Sequence, residues 1–110
     1  MLDTAVLDEL RGLGDDDLRD LVDLYFADVA TQLTRLREAL ESDDYDGVAA
    51  AAHRVKGASL SIGASLVASL ASEVEEAGKA RNLDGVGEVL DALETELDPT
   101  RSALTAELSV

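Results

Sequence analysis

Ala49-Ala50-Ala51-Ala52-His53-Arg54-Val55-Lys56-Gly57-Ala58-Ser59-Leu60-Ser61-Ile62-Gly63-Ala64 is the stretch whose periodicity decides the fold, and it holds the one histidine of the 110-residue chain. Each residue of an α-helix turns about 100° around the axis. With His53 as origin, Val48, Ala51, Val55, Ala58 and Ile62 fall within roughly 40° of the opposite direction. That is a core stripe at helical spacing. Ala49, Ala50, Lys56, Gly57, Leu60 and Ala64 fall within about 60° of His53 itself. The stretch therefore reads as an amphipathic helix that turns its histidine outward, among small side chains and one lysine. Gly57 costs such a helix roughly 1 kcal/mol relative to alanine. Close approach of another molecule would account for a glycine on that face.

Upstream, Ser42, Asp43 and Asp44 form a turn, with Asp43 or Asp44 as the N-cap of the histidine helix. Before them Leu18, Leu21, Tyr25, Val29, Leu33, Leu36 and Leu40 recur at spacings of three and four, with Phe26 widening the stripe. This predicts a long amphipathic helix, opened by Asp15 and Asp16 and running to about Glu41. Arg19, Asp23, Asp28, Arg35 and Glu38 make its solvated face. Asp3 caps a short first helix, Leu2 and Leu7 suit a hydrophobic staple across that start, and Gly12 and Gly14 end it.

Downstream, Gly63 suits a left-handed helix terminus and Ser65 the cap of the next helix, which carries Leu66, Leu70, Val74 and Ala77, with Val67 and Ala71 beside them. Gly78 to Asn82 is the next break, and Asp84 the expected cap of a last helix bearing Val86, Val89, Leu90, Leu93 and Leu97. Pro99 interrupts that helix, but Leu104 and Leu108 resume its spacing, which predicts a kinked continuation with a frayed tail. No strand pattern occurs. The expected fold is all-α, an antiparallel four-helix bundle with a short additional N-terminal helix, and residues 1–110 form one domain.

Composition narrows the function. Leu, Ala and Val supply the apolar mass, and there is no Cys and no Trp. Disulfides and thiolate metal sites are thereby excluded. No apolar run is long enough to cross a bilayer and no signal-peptide pattern opens the chain, so a cytoplasmic protein is expected. The 24 acidic residues outnumber 9 basic ones, for a formal net charge of −15. Nucleic acid and anionic membranes would be repelled.

Conventional active sites find little support. Ser59 and Ser61 point away from His53 on the helix, and a lone histidine beside Arg54 and Lys56 is a poor metal centre. An exposed imidazole can instead accept a phosphoryl group. Lys56, one turn on, would balance the added charge. Gly57, Ala49 and Ala50 would give a partner clearance, and Leu60 an apolar contact.

His53-Arg54-Val55-Lys56-Gly57-Ala58-Ser59, continued through Gly63-Ala64, resembles the signature of histidine-containing phosphotransfer (Hpt) domains, H-x-x-K-G-x-S-x-x-x-G-A, and matches every fixed position. The order of helices carries the resemblance over essentially the whole chain. It implies a phosphocarrier in a multistep phosphorelay, not an enzyme. His53 would accept the phosphoryl group, Lys56 would stabilise it, and Gly57 would let a receiver domain pack close. Ala49, Ala50, Leu60 and Ala64 complete the expected docking face, while Ser59, Gly63 and Ala64 fill packing and turn positions. The partners implied are receiver domains of response regulators or hybrid kinases, which bring the aspartate and Mg²⁺; the chain itself would hold no cofactor and no metal. Ser69 and Glu73 are candidates for the polar residue that the neighbouring helix contributes near the histidine. The exposed face suits a monomer, and Met1 with the full set of helices suits a free-standing protein. The main rival is a module that docks receivers without carrying phosphate, in which His53 would be dispensable. A plain structural bundle would leave Gly57 and the small-residue patch unexplained.

Overall fold

The computed structural model describes residues 1–110. Five helices account for its regular structure: α1 Thr4–Leu10, α2 Asp15–Glu41, α3 Tyr45–Ile62, α4 Ser65–Lys79 and α5 Val86–Leu108. There are no strands, and none of the helices is long and apolar enough to cross a membrane. Short connections return each long helix alongside its predecessor, and the bundle is elongated, 42 by 20 by 19 Å. α3 lies at its centre, packed against α2 on one side and α4 on the other, while α4 in turn carries α5.

The helix starts follow local chemistry. The Asp3 carboxylate accepts from the backbone N–H groups of Ala5 and Val6 at 3.1 and 3.4 Å, capping α1. Leu7 is wholly buried and Leu2 packs against the core. Asp15, Asp16 and Asp17 occupy the first turn of α2, where negative charge suits the helix dipole. Of the two candidate caps of α3 it is Asp44 that serves, accepting from Gly47 N–H at 3.0 Å.

The α3–α4 turn is tighter than expected. Gly63 takes φ 80°, where a side chain would be strained, and its carbonyl accepts from Asp3 N–H at 2.8 Å, tying α1 to the end of α3. Only Gly63 and Ala64 separate the two helices, so Ala64 is the N-cap and Ser65 already lies in the first turn of α4. Asp84 does not cap α5 either. Gly85 occupies that position at φ 79°, a conformation that aspartate adopts only at a cost, and Asp84 instead gives its N–H to the Asn82 side chain. Nor does Gly78 break α4, which continues to Lys79. A Cβ on Gly78 would lie 2.9 Å from both the Ala49 nitrogen and the Tyr45 carbonyl oxygen, so this glycine lets the two helix backbones approach.

α5 runs on through Pro99. Its tail is not frayed: Leu104 and Leu108 are buried in the core and hold the turns after the proline. In α2, Leu18, Val22, Tyr25, Val29, Leu33 and Leu36 are buried, whereas Leu21 and Leu40 are only partly covered. Its polar side does more than meet solvent. Asp23 receives Arg101 of α5 at 3.2 Å, and Arg37 reaches both Asp91 and Glu94 of α5 at 2.8 and 3.0 Å. These exposed pairs add little stability each, but they all link the same two helices.

Candidate functional site

α3 is held by Val48, Ala51, Ala52, Val55, Ser59 and Ile62, all buried. With that stripe inward, the helix period leaves the His53 side chain 69% exposed on the opposite face. Beneath the ring, from α4, comes Glu75, whose side chain is only 4% exposed. Its Oε2 lies 2.9 Å from His53 Nδ1 and 3.2 Å from Lys79 Nζ, and its Oε1 lies 3.4 Å from Lys56 Nζ.

Burial by itself pushes a carboxyl group toward its neutral form. Here that largest effect is outweighed by hydrogen bonds from Lys79, His53 and Lys56, and the Glu75 carboxyl is held below its ordinary range. Glu75 is therefore a carboxylate that only accepts hydrogen bonds, so Nδ1 of His53 carries the hydrogen between them. In the neutral ring the lone pair then sits on Nε2, the other nitrogen. The cluster presents one free imidazole nitrogen to solvent, a fixed negative charge behind it and two lysines beside it.

The expected docking residues do not share one fate. Ala50 and Gly57 are exposed, and Leu60, 54% exposed, is one of the few large apolar side chains left open to solvent. Ala49 is partly covered because it packs against Gly78. Ala64 is 1% exposed and offers no surface to a partner: the tight turn that makes it the cap of α4 also buries it. A Cβ on Gly57 would meet nothing within 4 Å, so no internal contact requires this glycine.

Ser69 and Glu73 are exposed and neither bonds to the histidine. The residues in that place are Glu75 and Lys79, which the spacing of α4 concealed. Ser59, by contrast, sits in the core, where its hydroxyl lies 2.6 Å from that of Tyr25. No group of three or more His, Cys, Asp or Glu side chains converges as a metal ion would need.

Residues 20–103 match the family model of the Hpt domain. The chain belongs to the Hpt domain family. Histidine-containing phosphotransfer protein 2 of Arabidopsis thaliana is 30% identical over 103 residues, an alignment covering 87% of this chain. The chain spans 66% of that relative's length. Among solved structures, histidine-containing phosphotransfer protein B (HptB) of Pseudomonas aeruginosa PAO1 is similar, with a TM-score of 0.88 at 29% identity. That match covers 98% of this chain and 94% of the other. Hpt proteins as a family carry phosphoryl groups, and in this Hpt bundle the exposed histidine stands on the central helix.

Proposed function

We propose that the protein is a phosphocarrier of a multistep phosphorelay, in which His53 accepts a phosphoryl group from a receiver-domain aspartate and passes it to a second receiver. The observation that carries this reading is the setting of one ring: Nδ1 on buried Glu75, Nε2 free and outward. In the transfer the Nε2 lone pair forms a bond to phosphorus as the phosphorus–oxygen bond to the donor aspartate breaks. The donor leaves as a carboxylate. Nδ1 keeps its hydrogen, so the imidazole gains a positive charge, and the Glu75 carboxylate behind it opposes that charge. Return to an acceptor aspartate reverses each of these steps.

Lys56 is the cation for the phosphoryl oxygens in this reading. Ala50, Gly57 and Leu60 form the ground on which the receiver packs, and the receiver supplies the Mg²⁺ and the catalysis. The carrier contributes an oriented nucleophile and a smooth approach.

The test is phosphoryl transfer from a phosphorylated receiver domain with Mg²⁺ to the wild type and to His53→Gln. An acid-labile, base-stable label on the wild type alone is the expected result, with helical content equal in both. Binding of a receiver with no label on either protein would favour the docking-only module instead.

A further inference from the structure

We propose that Lys79 is a positioning residue for phosphoryl transfer: by holding the Glu75 carboxylate it releases Lys56 to follow the phosphoryl group on His53. The inference rests on the phosphocarrier reading and adds to it a residue outside the H-x-x-K-G-x-S pattern.

The argument begins with the sharing of Glu75. A buried carboxylate must keep a cation or donor on its oxygens. Oε2 has two, His53 Nδ1 at 2.9 Å and Lys79 Nζ at 3.2 Å, whereas Oε1 has Lys56 Nζ at 3.4 Å. Lys56 thus makes the longest of the three contacts, and when it leaves Oε1 the carboxylate still holds His53 and Lys79 on Oε2. Lys79 stands four residues after Glu75 on the same helix, so its hold does not depend on how α3 and α4 move relative to each other. Lys56 stands one turn after His53 on α3 and moves with the ring.

Charge balance leads to the same assignment. Before transfer, two lysines and one carboxylate surround the ring, which must be in its neutral form for Nε2 to attack. Transfer adds a phosphoryl group of roughly −1.5 to −2 charge and a positive charge on the imidazole, bringing the cluster close to neutral. Without Lys79 the loaded cluster would carry a net negative charge over a buried carboxylate. Lys56 would then be claimed by two anions at once.

The experiment loads His53 chemically, so that no receiver need be identified. Phosphoramidate transfers its phosphoryl group to imidazole nitrogen and releases ammonia. Phosphorus NMR then follows the phosphohistidine in the wild type, Lys79→Met, Lys79→Arg, Lys56→Met and the double methionine variant. Lys79→Met is expected to shorten the phosphohistidine lifetime by about fivefold, within the range seen for coupled charged neighbours. Lys79→Arg should restore it. In the Lys56→Met background the same change should have little effect, because the lysine it acts through is gone.

Lys79 is 59% exposed, so these variants are expected to fold, and thermal unfolding checks that they do. A second readout uses the unloaded protein: in Lys79→Met the Lys56 ammonium protons, followed by NMR, should exchange more slowly with water. An unchanged lifetime in Lys79→Met, or an undiminished effect in the absence of Lys56, overturns the proposal and leaves the carrier reading standing. A wild type that takes no phosphoryl group from phosphoramidate or from phosphorylated receivers removes both.

Discussion

The hydroxyls of Tyr25 and Ser59 meet at 2.6 Å inside the α2–α3 interface, where both residues are buried. Burial raises the Tyr25 phenol above its ordinary value, against a smaller opposing effect of the Ser59 hydrogen bond, so the phenol stays neutral and keeps its hydrogen. Ser59→Ala removes the partner and leaves the phenol unpaired, which should cost about 1–3 kcal/mol in urea unfolding. Tyr25→Phe should cost less than Ser59→Ala, since the serine can turn to a carbonyl of its own helix. The double variant should fall short of the sum of the two. Strict additivity would mean that the pair is adjacent without being coupled.

The exposed Gly57 of α3 and the buried Gly78 of α4 should respond oppositely to alanine. Gly78→Ala places a methyl group where 2.9 Å separates it from the Ala49 backbone nitrogen and the Tyr45 carbonyl, so the helices must part. Over-packing of this kind costs typically about 1–3 kcal/mol. Chemical denaturation of the variant measures it, and unchanged stability would show that the two helices can shift apart freely.

Gly57→Ala, with nothing within 4 Å of the new methyl, should stabilise the protein by up to about 1 kcal/mol. On the proposed docking face the same change, and more so Gly57→Leu, should slow transfer from a phosphorylated receiver. The signature of a glycine kept for a partner is this opposition between a higher unfolding midpoint and a slower transfer. Faster or equal transfer in Gly57→Leu would take Gly57 off that face.

Much of this was legible in the sequence, for reasons that differ from helix to helix. In α3 the two faces are chemically distinct, valine and isoleucine against His53, Lys56 and Gly57, and a 3.6-residue period separates them without ambiguity. In α4 they are not. Leu66, Leu70, Val74 and Ala77 trace an apolar line with Val67 and Ala71 beside it, and it is that flank the helix turns inward, burying Val67, Ala68, Ala71, Val74, Glu75 and Gly78. The approach to α3 is close enough to require small residues, and small residues carry little hydrophobic signal. Glu75 sits within that narrow contact and looks, in sequence, like any other of the many acidic residues. Its partner His53 is 22 positions away, beyond the reach of helical spacing. The left-handed Gly63 and the Asp3 and Asp44 caps were legible, whereas the Ser65 and Asp84 caps were not, because at Ala64 and Gly85 the backbone conformation, not a polar side chain, starts the next helix.

The Glu75 carboxylate makes a pH prediction whose sign can be worked out. Its folded value lies below the ordinary one, because hydrogen bonds from Lys79, His53 and Lys56 outweigh the opposing effect of burial. A group depressed in this way contributes stability that is present above its unfolded value and lost as pH falls through the folded one. Glu75→Gln keeps the shape of the side chain, removes the titration and leaves two lysines without their shared anion. The wild type should therefore exceed the variant in unfolding free energy near neutral pH, and the gap should close as pH drops through and below the ordinary carboxylate range. Urea melts of both proteins across that range provide the comparison, and the other carboxylates cancel in the difference. A gap that stays constant with pH would mean that Glu75 is not preferentially ionised by the fold, and the neutral Nδ1–H tautomer assigned to His53 would lose its basis.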